Sequence, residues 1–107
     1  MTNMTTTFKG TPIRLEGHFP QAGETAPDFF LTKNDLSDFS LKAGNGEYLI
    51  LNIFPSLDTG VCATTVRRFN QMAASLPGAM VLCISKDLPF AQNRFCAAEG
   101  IDHTLLL

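Results

Sequence analysis

Two apolar runs that flank a helical pattern constrain the fold of this chain more than any other feature. Tyr48–Phe54 and Ala79–Ser85 are nearly continuous in apolar side chains, as expected of strands covered on both faces of a sheet. Between them, Val61–Leu76 repeats apolar residues at steps of three and four, which is typical of an amphipathic helix. Strand, helix and strand in this order predict a right-handed parallel crossover, and therefore an α/β fold.

The first half of the chain alternates short polar and apolar segments, which favours antiparallel hairpins. We predict an N-terminal β-hairpin, an irregular crossing, a second hairpin through Lys33-Asn34 and a further turn. These features span, in order, Thr6–Lys9 with Ile13–Glu16, then Gly17–Pro27, then Phe29–Thr32 with Asp35–Leu41, and finally Ala43–Gly46.

A second helix and a last strand are predicted after the crossover. Asp87-Leu88-Pro89 opens a helical segment over Phe90–Glu99, and Gly100 is suited to end it. Thr104–Leu107 is an apolar run that we interpret as part of a buried strand.

Length and charge limit the organisation and the partners of the chain. Its 107 residues fit one small domain, 1–107, and a hydrophobic content of 45% is enough for a core without disulfides. The net charge of −2 and the absence of like-charge runs argue against nucleic acid or a membrane surface as partner. We interpret Arg67-Arg68 as a solvated helix face.

The cysteine count and the N-terminus predict a cytoplasmic protein. No basic segment followed by an apolar one opens the sequence, and no apolar stretch approaches membrane-spanning length. Three cysteines, an odd number, fit a reducing compartment. No metal ligand set is predicted, because His18 and His103 are isolated and no Cys-x-x-Cys spacing occurs.

Cys62 is the strongest candidate for chemistry. It follows the turn Pro55–Gly60 and falls in the first turn of the predicted helix, where free backbone N–H groups and the helix dipole favour a thiolate. The alternative is a buried helix cysteine that acts as a small hydrophobic residue.

The pattern Pro55-x-x-x-Thr59-x-x-Cys62 resembles the active-site signature of peroxiredoxins. The surrounding segments resemble one subfamily in particular, the bacterial thiol peroxidases, which are atypical two-cysteine peroxiredoxins with a thioredoxin-like fold. These segments are Leu51–Ser56, Asp58–Cys62, Leu82–Ser85, Asp87–Gln92, Arg94–Cys96 and Ala98–Gly100.

The resemblance implies a redox cycle that needs no bound cofactor. Cys62 would be the peroxidatic cysteine that reduces hydrogen peroxide and alkyl hydroperoxides, and Cys96 the resolving cysteine that forms a Cys62–Cys96 disulfide. Thr59 would hydrogen-bond the reacting groups and Pro55 would shield the pocket. Thioredoxin would reduce the disulfide, and full-length relatives are homodimers.

Each of these roles has a structural alternative. Thr59 is also suited to an ordinary helix N-cap, and Cys96 to an inert position on a helix face. Cys83 lies inside an apolar strand without a basic neighbour, so we predict core packing for it rather than chemistry.

The resemblance also implies that the chain is a truncated, incomplete domain. Members of the family are about half as long again, and the part after Leu107 would supply the last strands, the closing helix and an arginine beside the peroxidatic sulfur. We therefore expect severely reduced turnover and an uncovered apolar face. The competing interpretation is an inactive thioredoxin-like fragment, or a protein-binding module that uses an exposed sheet edge.

Overall fold

A computed structural model describes residues 4–44 and 48–107. Its strands and α-helices are, in chain order, β1 Met4–Phe8, β2 Thr11–Leu15, β3 Phe30–Thr32, β4 Asp38–Ser40, β5 Tyr48–Ile53, α1 Gly60–Ala73, β6 Ala79–Ile84, α2 Pro89–Glu99 and β7 Leu105–Leu106. A 3₁₀ helix, Leu41–Gly44, follows β4. The predicted turn Ala43–Gly46 falls partly on residues 45–47, which lie outside the described residues.

A parallel sheet of β5, β6 and β7, in that order, forms the centre of the fold. Ile50 pairs with Val81 and Leu82 pairs with Leu105, and both strand pairs are parallel. The predicted parallel crossover and the α/β class are therefore confirmed. The middle strand β6 is buried on both faces, since Val81, Leu82 and Cys83 are at most 1% exposed.

The side chains of the sheet alternate between two apolar layers. On one face, Val81, Cys83 and Leu106 pack against residues of both helices, including Val66 of α1 and Phe95 of α2. The opposite face, with Leu82 and Leu107, packs against the β3–β4 hairpin through Phe39. The sheet is thus covered by two helices on one side and by a hairpin on the other.

The prediction that β5 is covered on both faces is wrong. Tyr48 is 83% exposed, Ile53 70% and Leu51 38%. Among the described strands β5 pairs only with β6, so it is a sheet edge, and continuous apolarity does not distinguish an edge strand from a central one. The expected uncovered apolar face is present here, because Leu51 and Ile53 line an open hollow of about 420 Å³.

Both hairpins are confirmed, with changed boundaries. β1 and β2 are joined by Lys9-Gly10, whose positive φ angles of 51° and 81° suit a two-residue hairpin turn. In the second hairpin β4 begins at Asp38 rather than Asp35. Asp35 lies in the turn instead, because its carboxylate accepts hydrogen bonds from the amide and hydroxyl of Ser37.

The helices begin close to their predicted starts. α1 begins one residue early and ends at Ala73, three residues before the predicted end, so Pro77-Gly78 belongs to the connection to β6. α2 ends at Gly100 as predicted, and Gly100 has a left-handed backbone with φ of 66°. No helix over residues 4–44 and 48–107 is long and apolar enough to cross a membrane.

Candidate active site

Cys62 lies in the first turn of α1, as predicted, where the connection from the sheet becomes helical. The first helical hydrogen bond runs from the Ala63 amide to the Thr59 carbonyl, at 3.0 Å. The amides of Gly60, Val61 and Cys62 therefore precede the helical ladder and form the positive end of α1. Cys62 is half-buried and is a free thiol.

Thr59 is the N-cap residue of α1, but its side chain does not cap the helix. Its backbone is extended, with φ of −94° and ψ of 138°, and its hydroxyl donates to the Ser56 carbonyl at 3.0 Å. Thr59 therefore occupies the N-cap position, as the alternative predicted, but its side chain makes no capping hydrogen bond to the helix. Because the hydroxyl proton is donated to the Ser56 carbonyl, the lone pairs of the Thr59 oxygen remain to accept a hydrogen bond from an approaching thiol or hydroperoxide.

Pro55 opens the same connection and is exposed. Together with Ile53, Phe54 and Ile84 it lines an apolar hollow of about 530 Å³ on the hairpin side of the sheet. Thr59 and Cys62 follow Pro55 along the same connection, but neither of them lines this hollow.

Asp87 holds this connection to the one that follows β6. Its carboxylate accepts hydrogen bonds from the Ser56 hydroxyl at 2.8 Å, the Leu57 amide at 2.8 Å and the Ser85 hydroxyl at 2.7 Å. Partial burial opposes ionisation, but the hydrogen bonds from Leu57, Ser85 and Ser56 outweigh it and hold the pKa of Asp87 below its usual value. The turn before Cys62 is thereby fixed by a carboxylate on a neighbouring strand end.

Sequence reasoning did not single out Asp87 as a site residue. A signal was available, because β5 and β6 are parallel neighbours and their carboxyl ends meet at one edge of the sheet. Polar residues directly after such strands converge there. Ser56 follows β5 and Asp87 follows β6, so their contact follows from the topology.

Cys96 lies in the last turn of α2, as predicted. Its carbonyl accepts hydrogen bonds from the Gly100 amide, which ends the helix, and from the Ile101 amide at 3.1 Å. The side chain is half-buried and packs against the core cluster that contains Cys83. Burial, with a smaller contribution from Cys83, raises the pKa of the Cys96 thiol.

The two cysteine-bearing helices are joined by a side-chain contact that the sequence did not reveal. Arg67 of α1 donates to the Glu99 carboxylate of α2 through Nε at 3.0 Å and Nη2 at 2.8 Å. Its guanidinium also lies 5.7 Å from the centroid of the Phe95 ring. The prediction of a solvated helix face agrees with the exposed Arg68 and with the Arg67 side chain, which is 42% exposed although it also pairs with Glu99.

Cys83 is a core residue, which confirms the prediction for it. Its side chain is fully buried, and the Asn52 amide donates to Sγ at 3.7 Å. Burial raises the pKa of the Cys83 thiol, so the thiolate is disfavoured. Within the described part of the chain, no three His, Cys, Asp or Glu side chains are grouped so as to hold a metal ion.

Comparison with known proteins identifies the family. The sequence model of the Redoxin family matches residues 21–107. This chain belongs to the Redoxin family. The matched region contains every candidate site residue, while the β1–β2 hairpin lies before it.

Individual redoxins support the same assignment. A curated thiol peroxidase from Corynebacterium glutamicum is 54% identical over 98 residues, which make up 92% of this chain and 59% of that protein. A peroxiredoxin-like protein from Aquifex aeolicus has a TM-score of 0.88 at 34% identity, over 95% of this chain and 60% of that chain. The chain thus spans about three fifths of the length of these relatives.

A third comparison bears on the fold alone. The thiol peroxidase from Chromobacterium violaceum has a TM-score of 0.82 at 21% identity, over 100% of this chain and 63% of that chain. The thioredoxin-like peroxiredoxin fold expected from the resemblance is confirmed by these structures.

Proposed function

We propose that the chain is a thiol-dependent peroxidase in which Cys62 reduces hydrogen peroxide and alkyl hydroperoxides. The observation that supports this most directly is the free, half-buried thiol of Cys62 in the first turn of α1, preceded by Thr59 and Pro55. The membership in the Redoxin family and the similarity to a named thiol peroxidase support the same chemistry.

In the first step the Cys62 thiolate attacks the distal oxygen of the hydroperoxide. The S–O bond forms as the O–O bond breaks, so that Cys62 becomes a sulfenic acid and the peroxide leaves as water or an alcohol after taking up one proton. The amides at the start of α1 stabilise the thiolate. The lone pairs of the Thr59 oxygen accept a hydrogen bond from the O–H of the hydroperoxide and so orient it for attack.

In the second step the Cys96 thiol attacks the Cys62 sulfenic acid. The S–S bond forms, the S–O bond breaks and one water leaves, which gives an intramolecular Cys62–Cys96 disulfide. A disulfide needs Cα atoms about 4.4–6.8 Å apart, and the two cysteines lie in separate helices. We therefore expect one or both helix ends to unwind locally during this step.

The cycle closes when an external dithiol reduces the disulfide. Thioredoxin is the proposed reductant, with its own two thiols oxidised in exchange. A cytoplasmic location and a homodimeric assembly belong to the same proposal, and no bound cofactor is required.

A trapping experiment combined with a coupled assay tests the proposal. A dimedone-type reagent should label Cys62 after peroxide addition, and a Cys62→Ser variant should show no labelling. NADPH consumption with thioredoxin and its reductase should depend on both Cys62 and Cys96. Peroxide-dependent labelling that survives in the Cys62→Ser variant contradicts the assignment.

The exposed edge of the sheet favours a second candidate function, in which the chain binds another protein. β5 has one strand partner among the described residues, and Leu51 and Ile53 are exposed beside it. Such an edge accepts an added strand. Absence of any Cys62 sulfenate under peroxide would favour this role over catalysis.

A further inference from the structure

The contact between Arg67, Glu99 and Phe95 links the helix of one proposed redox cysteine to the helix of the other. We call these three side chains the clasp. The guanidinium makes a two-point hydrogen-bonded ion pair with the carboxylate, at 3.0 and 2.8 Å, and lies over the Phe95 ring. Two N–H donors to one carboxylate and a contact with an aromatic ring fix the position of the guanidinium more closely than a single surface ion pair would.

The clasp holds the turn of α2 that contains Cys96. Phe95 is adjacent to Cys96, and Glu99 lies three residues after it, on the same turn. The same turn ends through hydrogen bonds from Gly100 and Ile101 to the Cys96 carbonyl. Unwinding this turn would break those backbone bonds and would also pull Glu99 away from Arg67.

While the clasp is closed, Cys96 is poorly placed to react. Its side chain packs against the core cluster, and its burial raises the pKa of the thiol, which disfavours the thiolate. A thiol becomes a good nucleophile only when it is exposed and ionised. Opening the last turn of α2 therefore has to come before attack on Cys62.

We propose that the Arg67–Glu99–Phe95 clasp gates Cys96, so that breaking the clasp releases the last turn of α2 for disulfide formation. The consequence for catalysis rests on the function proposed above. The reaction that the clasp delays is attack of the Cys96 sulfur on the Cys62 sulfenic acid, with formation of the S–S bond and loss of one water. A competing reaction is oxidation of the sulfenic acid by a second peroxide to sulfinic acid, with release of one more water or alcohol.

Accessibility of Cys96 tests the gate without any peroxide chemistry. In a Cys62→Ser background, the rate at which iodoacetamide alkylates Cys96 should rise about two- to fivefold in Arg67→Met, as expected for loss of a partly exposed ion pair. Arg68→Met is the matched control, because Arg68 is the exposed neighbour on α1, and it should leave the rate unchanged. Equal rates in the two variants overturn the gate.

A second pair of variants protects the test against general damage to the fold. Glu99→Gln should reproduce the faster alkylation, and Arg67→Glu combined with Glu99→Arg should return it towards the original rate. Faster alkylation of the fully buried Cys83 in the same samples would indicate loosening of the whole core and would also overturn the gate.

The outcome of peroxide oxidation tests the catalytic consequence. After a brief excess of peroxide, Arg67→Met should give a larger ratio of Cys62–Cys96 disulfide to Cys62 sulfinate, by about two- to fivefold. The rate of sulfenate formation, measured in a Cys96→Ser background, should not change. Slower disulfide formation in Arg67→Met would show that the clasp orients Cys96 for attack and would overturn the gate. Absence of sulfenate in the parent chain would instead refute the proposed function, while alkylation still decides the gate.

Discussion

Replacing Asp87 by Asn should loosen the turn that precedes Cys62. The carboxylate accepts three hydrogen bonds, from Ser56, Leu57 and Ser85. An amide keeps one acceptor oxygen and presents an NH₂ group where the second oxygen was. The NH₂ group is tolerated towards Ser56, whose hydroxyl can rotate to accept, but not towards the Leu57 amide, which can only donate.

The expected cost follows from the change in hydrogen bonding. Hydrogen bonds to a charged group contribute about 1.5–3 kcal/mol, compared with about 1 kcal/mol for a neutral pair. Because Asp87 is only partly buried, we take the low end and expect Asp87→Asn to lower the free energy of unfolding by about 1–2 kcal/mol. If the ordered turn is needed for the first redox step, sulfenate formation at Cys62 should slow by up to about 30-fold.

The loss of stability should depend on pH with a defined sign. The pKa of Asp87 is lowered in the folded state, so near the unfolded-state value the unfolded chain binds more protons than the folded one. The contribution of Asp87 is therefore complete above the ordinary value of 3.8 and is lost as the pH falls through the lower folded-state pKa. The stability difference between the parent and Asp87→Asn should shrink below about pH 4.

Urea unfolding at several pH values, together with stopped-flow measurement of Cys62 oxidation, checks this prediction. Asp58→Asn is the matched control, since Asp58 is exposed in the same turn, and it should change neither quantity appreciably. An Asp87→Asn variant that is as stable as the parent at neutral pH would refute the reasoning. So would a stability difference that stays constant down to pH values well below about 4.

Two further predictions concern the supports of the helices. Gly100→Ala should lower the free energy of unfolding by about 1 kcal/mol, because the backbone at Gly100 has a φ of 66°. An added Cβ meets no atom within 4 Å at Gly100 or at Gly60, so the comparison isolates backbone strain. Gly60→Ala should therefore lower the free energy of unfolding much less in the same urea titration. Asn70→Leu should lower the free energy of unfolding by about 2 kcal/mol, because the backbone amides of Asp102 and His103 lose their shared acceptor. Asn70→Asp keeps an acceptor oxygen at this position and should be more stable than Asn70→Leu. Equal stability of the two variants would contradict this account.

The parallel core of the fold was predictable from local pattern. Apolar runs, helical spacing and a Gly at the end of α2 led to β5, α1, β6 and α2 with errors of at most three residues. What the pattern did not reveal is which strand is an edge. The runs of β5 and β6 are equally apolar, yet one is exposed at Ile53 and the other is buried throughout its middle.

The candidate site was predictable where chemistry is local and missed where it is assembled from distant parts of the chain. Cys62 and Thr59 follow from their spacing around a helix start. The Asp87 contact could have been inferred from the predicted parallel strands, whose carboxyl ends meet at one edge of the sheet. The Arg67–Glu99 pair joins segments about 30 residues apart, and no periodicity or motif places these two residues together. Buried polar residues were missed for the same reason, since Asn70 and Gln92 satisfy backbone groups of a later segment.

The central claim is that peroxide oxidises Cys62 and that Cys96 then forms a disulfide with it. The most direct measurement is peptide mapping by mass spectrometry after one equivalent of hydrogen peroxide is added to the reduced chain. In the parent we expect a pair of peptides linked by the Cys62–Cys96 disulfide. In Cys96→Ser we expect Cys62 as a sulfenic acid, detected as its adduct with the dimedone-type reagent. In Cys62→Ser we expect no oxidation. A disulfide that includes Cys83, or oxidation confined to Cys96, would contradict the account.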